Sequence, residues 1–275
     1  MSFLRLSPTK AANWLDCPRK FFFAYVEKSR PRRSWAHLSF GNAVHGALRD
    51  WFDVPEDRRA PESVSQLVSR AWRDDGFRDQ VQSSLWRDRA IAMVRDYVVG
   101  LNPNFSPVST ERTLAFKEDT FVVEGRIDRL DARGEALAVV DYKTGKSSPR
   151  TEDVRGSAAL AMYALMAQRS LGRTCLEVSF HHLPSGTSVS WTHTPESLAR
   201  QRDRMAGVAA EITRTLDTWE SVEADDRIRD DLFPPNPGAL CGFCDYWRWC
   251  DAGQDVAPHK ESWDGLAADS IPRES

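Results

Sequence analysis

Two aspartates and a lysine near the middle of the chain have the types and spacing for metal-assisted chemistry on a phosphate. Asp141 and Lys143 are two residues apart near the end of an apolar run, and Asp128 lies near the end of the preceding run. Side chains two residues apart in a strand share a face. Asp141 and Lys143 should therefore point to one side while Tyr142 points away. Carboxylates bind hard divalent cations, and an ammonium group can neutralise charge on a phosphate.

These residues must be held by the two strands of a β-hairpin. The runs Phe121–Leu130 and Ala136–Asp141 are apolar and rich in β-branched residues, and the turn-forming segment Asp131–Gly134 separates them. Pairing across this hairpin can bring Asp128 opposite Asp141. From these residues alone, a surface hairpin with an ordinary Asp–Lys ion pair is the alternative, because an acid two residues before a lysine is common.

The wider string GRIDRLD…VVDYKTGK, residues 125–131 and 139–146, is more specific. It resembles the signature of the PD-(D/E)XK nuclease superfamily, in the RecB-like exonuclease branch, where a G-x-x-D strand precedes a D-Y-K-T-G strand. The resemblance implies an α/β restriction-endonuclease-like core, with a mixed central sheet flanked by helices. It also implies metal-dependent hydrolysis of phosphodiester bonds in DNA.

Two predicted helices carry further parts of this resemblance. Residues 40–52 show an amphipathic pattern, which we expect to begin through Gly41 and Asn42. A lone histidine beside an apolar stripe is ordinarily a core residue, but the pattern G-x-x-x-H-x-x-L around His45 resembles the family motif in which histidine binds metal. The helix predicted at 157–172 keeps the family tyrosine as Tyr163, which could equally be a core aromatic, whereas Ala159 occupies the position of the family glutamine.

The resemblance assigns roles to these residues. It implies that His45, Asp128, Asp141 and the backbone carbonyl of Tyr142 bind one or two Mg²⁺ or Mn²⁺ ions. Imidazole suits Mn²⁺ better than Mg²⁺. Lys143 would orient or help deprotonate the attacking water, or stabilise the developing oxyanion. The same likeness places Tyr163 with Asp128, Asp141 and Lys143 among the catalytic residues.

A second group with chemical potential consists of cysteines. Cys241, Cys244 and Cys250 form a C-x2-C-x5-C cluster, and three thiolates need a fourth ligand to close a metal site. Cys17 is the candidate, whereas Cys175 has no spaced partner and is interpreted as a core residue. The arrangement resembles the iron–sulfur staple of AddB-type and CRISPR-associated RecB-like nucleases, which implies a [4Fe–4S] cluster. Zinc and four unligated thiols are the alternatives.

The composition restricts the classes of protein to which this chain could belong. The chain has 275 residues, 41% apolar residues and a net charge of −3. It contains no apolar run long enough for a membrane span and no secretory signal pattern at its start, so we expect a cytoplasmic protein. Three histidines, His181, His182 and His193, are candidate metal ligands by residue type. Neighbours in a strand face opposite sides, so we expect surface histidines instead.

The predicted organisation has five parts. They are N-terminal helices with Cys17 and His45 (1–52), a helical insertion (53–107), the nuclease core (108–221), the cysteine cluster closing onto the N-terminus (222–251) and a polar, partly disordered tail (252–275).

By resemblance, the expected activity is exonucleolytic cleavage of single-stranded DNA ends in repair or recombination, with a helicase or another repair or CRISPR protein as a candidate partner. The competing interpretation is an iron–sulfur scaffold subunit that binds DNA with weak or no nuclease activity, and Ala159 is the feature in its favour. A zinc-stapled protein acting on RNA is a third option.

Overall fold

The computed structural model describes residues 3–266 except Arg32, Pro103 and Ala224. These residues form a mixed β-sheet with helices on both faces, which confirms the predicted fold class at this level. The strands are β1 (Leu4–Leu6), β2 (Ser109–Lys117), β3 (Phe121–Arg133), β4 (Ala136–Lys143), β5 (Cys175–His182) and β6 (Thr187–Thr192). The helices are α1 (Pro8–Asp16), α2 (Pro18–Phe21), α3 (Ala36–Asp53), α4 (Val64–Ala71), α5 (Gln80–Val99), α6 (Thr151–Gly156), α7 (Ala158–Leu171), α8 (Pro195–Ser221), α9 (Asp226–Leu232) and α10 (Asp251–Val256).

Strand β3 organises the sheet. It pairs with β2 in antiparallel register over most of its length. Its first residues pair in parallel with β1, and its last residues, from Arg129 onward, pair antiparallel with β4. The sheet continues through β4 and β5, which are parallel, to β6, which is antiparallel to β5. As a result, β4 separates from β3 next to Asp128.

The hairpin turn is shorter than the sequence predicted. The ladder between β3 and β4 continues to the pair Arg133–Ala136, and Gly134 and Glu135 alone make the turn. Gly134 has a φ of 60°, a conformation that two-residue hairpin turns demand and that glycine adopts without strain. Asp131 is therefore a strand residue. Its carboxylate can remain buried because the guanidinium of Arg129 lies 2.9 Å away and compensates its charge.

Each face of the sheet has its own hydrophobic core. On one face, α1, α7 and α8 pack around residues such as Leu130 and Met166. On the other face, α3, α4 and α5 pack around Val140 and Tyr142. Gly125 allows α7 to lie directly on β3, because a Cβ there would come within 2.9 Å of Met166 Cε.

Helix α3 begins earlier than predicted, at Ala36 rather than at Gly41. Gly41 is instead an interior residue of the helix. A Cβ at this position would lie 3.4 Å from Thr144 Oγ1, so glycine lets the helix approach the turn that follows β4. This close approach brings the middle of α3 to the end of the hairpin.

Residues 252–266 form the first part of the segment that was predicted to be polar and partly disordered. After α10, the chain returns to α3, where Ala36 N donates a 3.0 Å hydrogen bond to the carbonyl of Ser262. Leu266 is buried in the core around α3. Residues 267–275 lie outside the described part of the chain. The five-part division itself stays a prediction, although α4 and α5 do lie in the proposed helical insertion.

The three histidines that were expected at the surface are not surface residues. His182 and His193 are buried and His181 is half-buried. No helix among the described residues combines the length and the apolar character needed to cross a bilayer.

Candidate metal-dependent active site

The candidate site lies where β4 separates from β3. Asp128 comes one residue before Arg129, which pairs with Val140, so continuing the register places Asp128 opposite Asp141. The backbone N–H of Tyr142 donates a 2.9 Å hydrogen bond to Asp128 Oδ2. The carboxylate of Asp128 is therefore directed across the hairpin toward the end of β4, as the pairing argument predicted.

Asp141 and Lys143 share one side of β4. Lys143 Nζ lies 2.7 Å from Asp141 Oδ2. The Tyr142 side chain between them packs into the core on the opposite face. Burial and the negative charge of Asp128 raise the pKa of Asp141 to about 6, although Lys143 opposes this change. A bound cation would favour the ionised form of both carboxylates and so lower the pKa of Asp141.

His45 reaches the same place from α3. Its Nδ1 lies 3.4 Å from Asp128 Oδ2 and 3.7 Å from Glu111 Oε1. Burial alone would lower the pKa of His45, but the two carboxylates raise it to about 10. In the absence of metal, the imidazolium partly neutralises the carboxylates. Metal binding would require His45 to lose that proton, because the neutral imidazole is the ligand.

Glu111 is a site residue that sequence reasoning missed. It lies on β2 between the pairs Thr110–Arg129 and Arg112–Ile127, which places it opposite Asp128. Its φ is 44°, an uncommon conformation for a residue other than glycine. Strained backbone of this kind concentrates at functional sites. A single glutamate in a predicted strand gives no such signal in the sequence.

Three ligand atoms converge at this point. One ligand atom from each of His45, Glu111 and Asp128 lies within 4.8 Å of the other two, and this is the one such trio among the described residues. One imidazole nitrogen and two carboxylate oxygens suit a divalent cation such as Mn²⁺ or Mg²⁺. Asp141 lies beside the trio, and its charge helps to raise the pKa of His45.

Tyr163 lies alongside the carboxylates. On α7, its ring packs over Gly125, where a Cβ would come within 3.2 Å of Tyr163 Cε1. Burial and the negative charges of Asp141 and Asp128 raise the pKa of Tyr163 well above its usual value, so it stays a neutral phenol. Ala159 is half-buried near the start of the same helix and has no polar side chain to offer.

A buried polar network supports the hairpin from behind. Arg129 donates hydrogen bonds to the hydroxyls of Tyr97 and Tyr142, at 2.7 and 3.2 Å, and to Asp131 at 2.9 Å. The Tyr97 hydroxyl also lies 2.7 Å from Nδ1 of His181. Burial and the positive charges of neighbouring arginines lower the pKa of His181 to about 3, so it is neutral. This network fixes the strand segment between Asp141 and Lys143.

The predicted cysteine group lies elsewhere, where the two ends of the described chain meet. Its four members line one small cavity of about 30 Å³. They are Cys17, Cys241, Cys244 and Cys250. Backbone N–H groups face two of the sulfurs: Asn236 N is 3.4 Å from Cys17 Sγ, and Gly238 N is 3.3 Å from Cys241 Sγ. Cys175 is buried in the core, as predicted.

Comparison with known families agrees with this geometry. The model of the PD-(D/E)XK nuclease superfamily matches residues 5–251. The chain belongs to this superfamily. PD-(D/E)XK nucleases use divalent metal ions, and the trio of His45, Glu111 and Asp128 offers suitable ligands.

Two solved structures resemble this member of the superfamily at low sequence identity. The structure of SSO0001 is 12% identical, with a TM-score of 0.41, and the match covers 92% of this chain and 88% of that one. A candidate exonuclease from Eubacterium rectale is 11% identical, with a TM-score of 0.49, and the match covers 87% and 92%. No curated protein matches the sequence.

Proposed function

We propose that this PD-(D/E)XK protein is a metal-dependent deoxyribonuclease that acts as an exonuclease on single-stranded DNA ends. The observation that carries the proposal is the convergence of His45, Glu111 and Asp128 beside the ion pair of Asp141 and Lys143. An ordinary surface ion pair between an aspartate and a lysine is not expected to lie against two further carboxylates and an imidazole. The choice of DNA, of single strands and of exonucleolytic action follows the sequence resemblance.

The ligand set would comprise His45, Glu111, Asp128 and Asp141, with the backbone carbonyl of Tyr142 as a further candidate. When bound, the metal lowers the pKa of a coordinated water and places positive charge at the attacked phosphate. The hydrogen bond from Tyr142 N keeps the Asp128 carboxylate oriented. The network around Arg129 keeps β4 in place, so the ligands are held before any ion arrives.

Lys143 has the position of a catalytic group. Its side chain is 44% exposed, so the ammonium is accessible to substrate while it contacts Asp141. From there it can orient the attacking water or donate to the developing oxyanion. Tyr163 is near enough to Asp141 and Asp128 for their charges to raise its pKa, and its neutral hydroxyl could donate a hydrogen bond to a phosphate oxygen.

The decisive experiment is a cleavage assay on single- and double-stranded DNA labelled at either end, with Mn²⁺, Mg²⁺ or EDTA. We expect Lys143→Ala to lower the rate by about 100-fold or more, the scale for losing one well-placed electrostatic group. Lys117→Ala is the matched control, because Lys117 is an exposed lysine at the far end of β2. Full activity of Lys143→Ala would refute the role of Lys143.

The same assay separates the alternatives. Tight DNA binding without cleavage in any metal would favour the scaffold interpretation, for which Ala159 is the structural argument. Faster cleavage of a labelled RNA strand of the same sequence would refute the assignment to DNA. A helicase or CRISPR partner, and a role in repair, stay predictions from the resemblance.

We also propose that the cysteine cavity holds a [4Fe–4S] cluster that joins the N-terminal helices to the C-terminal segment. The support is that all four cysteines line one cavity and that backbone N–H groups face two of their sulfurs, as they do around metal-bound thiolates. Cys17 and Cys250 are more than 200 residues apart in the chain, so the shared cavity is a tertiary feature.

Sulfur spacing favours a cluster over zinc. A tetrahedral zinc site with Zn–S bonds of about 2.3 Å places its sulfurs about 3.8 Å apart. Among the described residues, which include all five cysteines, no three sulfurs lie mutually within 4.8 Å. In a cubane cluster each thiolate binds a different iron, so the sulfurs lie further apart. Iron and sulfide analysis of anaerobically purified protein tests this assignment, and stoichiometric zinc without iron would refute it.

A further inference from the structure

A deep cleft opens next to the metal site. Its volume is about 870 Å³, and it lies between α3, α5, the turn after β4 and the C-terminal residues Gly265 and Leu266. His45 and Lys143 of the candidate site are among the residues that line it. Helix α5 belongs to the predicted helical insertion, and all the candidate site residues inferred from sequence patterns lie outside that region.

The cleft is cationic. Arg89, Lys143 and Lys146 line it, and Asp96 is the one acidic residue among the described residues of its lining. Clustered positive charge in a concave surface concentrates anions and attracts a phosphate backbone. Lys143 is paired with Asp141, so Arg89 and Lys146 are the cations that remain for a ligand beyond the catalytic group.

The side chain of Arg89 is held in a way that suits binding of a phosphate group. Its guanidinium lies 4.6 Å from the ring centroid of Trp86, and the indole is itself buried. Within the described part of the chain, no carboxylate lies at ion-pair distance from Arg89. Stacking on an aromatic ring holds the guanidinium in place while its N–H groups stay directed outward. Such a fixed guanidinium can donate two parallel hydrogen bonds to one phosphate.

The cleft also has apolar walls. Leu38, Met93 and Leu266 line it together with the cations, and Leu38 is 54% exposed although it is a leucine. In a duplex the base faces are stacked and hidden, whereas a single strand exposes them to apolar side chains. The volume of about 870 Å³ falls in the range of pockets that enclose small molecules, which is enough for a few nucleotides of one strand.

We propose that single-stranded DNA reaches the active site through this cleft, with Arg89 binding a backbone phosphate and the apolar wall contacting bases. The inference rests on the proposed nuclease function and adds the side from which the strand arrives and a residue that holds it. Arg89 lies on the helical insertion, so α5 would be a substrate-binding element rather than a structural cap.

Binding without cleavage tests this path. Fluorescence anisotropy with labelled single-stranded oligonucleotides in Ca²⁺, on the full chain, gives Kd as a function of salt. We expect Arg89→Ala to weaken binding by about 10-fold and to reduce the salt slope by about one phosphate contact. Arg89→Lys should recover part of the affinity, because lysine keeps the positive charge but cannot donate two parallel hydrogen bonds to one phosphate. Thermal melting of each variant establishes that the fold is unchanged.

Arg95→Ala is the matched control, since Arg95 is an exposed arginine on the same helix and does not line the cleft. Wild-type affinity in Arg89→Ala would overturn the proposed path, whatever the Lys143→Ala cleavage assay gives. Arg89-dependent binding without cleavage in any metal would support the path and refute the nuclease function. Tighter Arg89-dependent binding of an RNA strand would overturn the choice of DNA.

Discussion

The two candidate cofactor sites differ in what holds their residues in place. The metal-site residues come from β2, β3, β4 and α3, whose backbones are fixed by the sheet and by two hydrophobic cores. The cysteines come from the junction of α1 and α2 and from short turns near the C-terminus. The residues of the first candidate site are therefore held in place without a metal ion, whereas little secondary structure holds the residues of the second.

The difference extends to electrostatics. Glu111, Asp128 and Asp141 gather three carboxylates around one imidazole, and the part of their repulsion that His45, Arg126 and Lys143 do not neutralise costs stability in the metal-free protein. The stability that comes from the sheet and from its two hydrophobic cores offsets this cost. Burial raises the pKa of the thiols of Cys244 and Cys250, which favours their neutral form in the absence of metal. We therefore expect loss of metal to affect catalysis at the first site and folding at the second.

The largest expected effect is on stability, in Cys17→Ser. Removal of one ligand should release the cluster and lower the melting temperature by about 10 °C, because cluster binding free energy is also folding free energy. Scanning calorimetry under anaerobic conditions measures this change. Cleavage activity at low temperature should persist, since Cys17 is remote from the carboxylates.

Cys175→Ala provides the matched control for this substitution. It alters a buried cysteine that does not line the cavity, so iron content should stay at the wild-type level. If Cys17→Ser kept both its iron and its melting temperature, the contrast between the two sites would fail.

The next effect is on metal affinity, in Glu111→Gln. We expect Mn²⁺ binding to weaken by at least about 10-fold, because one anionic ligand is lost. The metal-free variant should be less stable than the wild type, since glutamine cannot form the ion pairs that Glu111 makes with Arg126 at 2.7 Å and with the imidazolium of His45 at 3.7 Å. Isothermal titration calorimetry and thermal melting measure the two quantities. Unchanged Mn²⁺ affinity would refute the assignment of Glu111 as a metal ligand.

The smallest effect concerns the network behind the hairpin. His181 has a folded-state pKa of about 3, below its ordinary value of 6.5. The unfolded chain therefore binds a proton at a pH at which the folded chain does not. The stability that depends on neutral His181 is complete above pH 6.5 and is lost as the pH falls toward 3.

His181→Asn removes this titration. Between pH 7 and pH 5, we expect the wild type to lose about 1 kcal/mol more unfolding free energy than the variant, a reduced value because His181 is half-buried. Urea unfolding at the two pH values in the presence of EDTA measures this loss without contribution from the metal site. Parallel pH dependence in the two proteins would mean that His181 is not held neutral by the fold.

Much of the fold follows from local patterns. Ser7 caps α1 by accepting a hydrogen bond from Lys10 N, and Gly172 ends α7 with a φ of 66°, both as their residue types predict. The errors occurred where tertiary contacts override local preference. Asp131 looks like a turn residue but stays in a strand because Arg129 neutralises it in the interior. Gly41 looks like a helix start but is an interior residue at a close packing contact.

The sequence by itself determined the hairpin with Asp128, Asp141 and Lys143, and the cysteine spacing at the C-terminus. Strand periodicity and short-range spacing place such residues with no knowledge of the rest of the chain. The tertiary structure alone decided that Glu111 joins His45 and Asp128 and that Arg89 lines the cleft. Both depend on contacts between elements far apart in the sequence, the register of β2 on β3 and the position of α5 beside α3, and a single glutamate or arginine carries no local sign of such contacts.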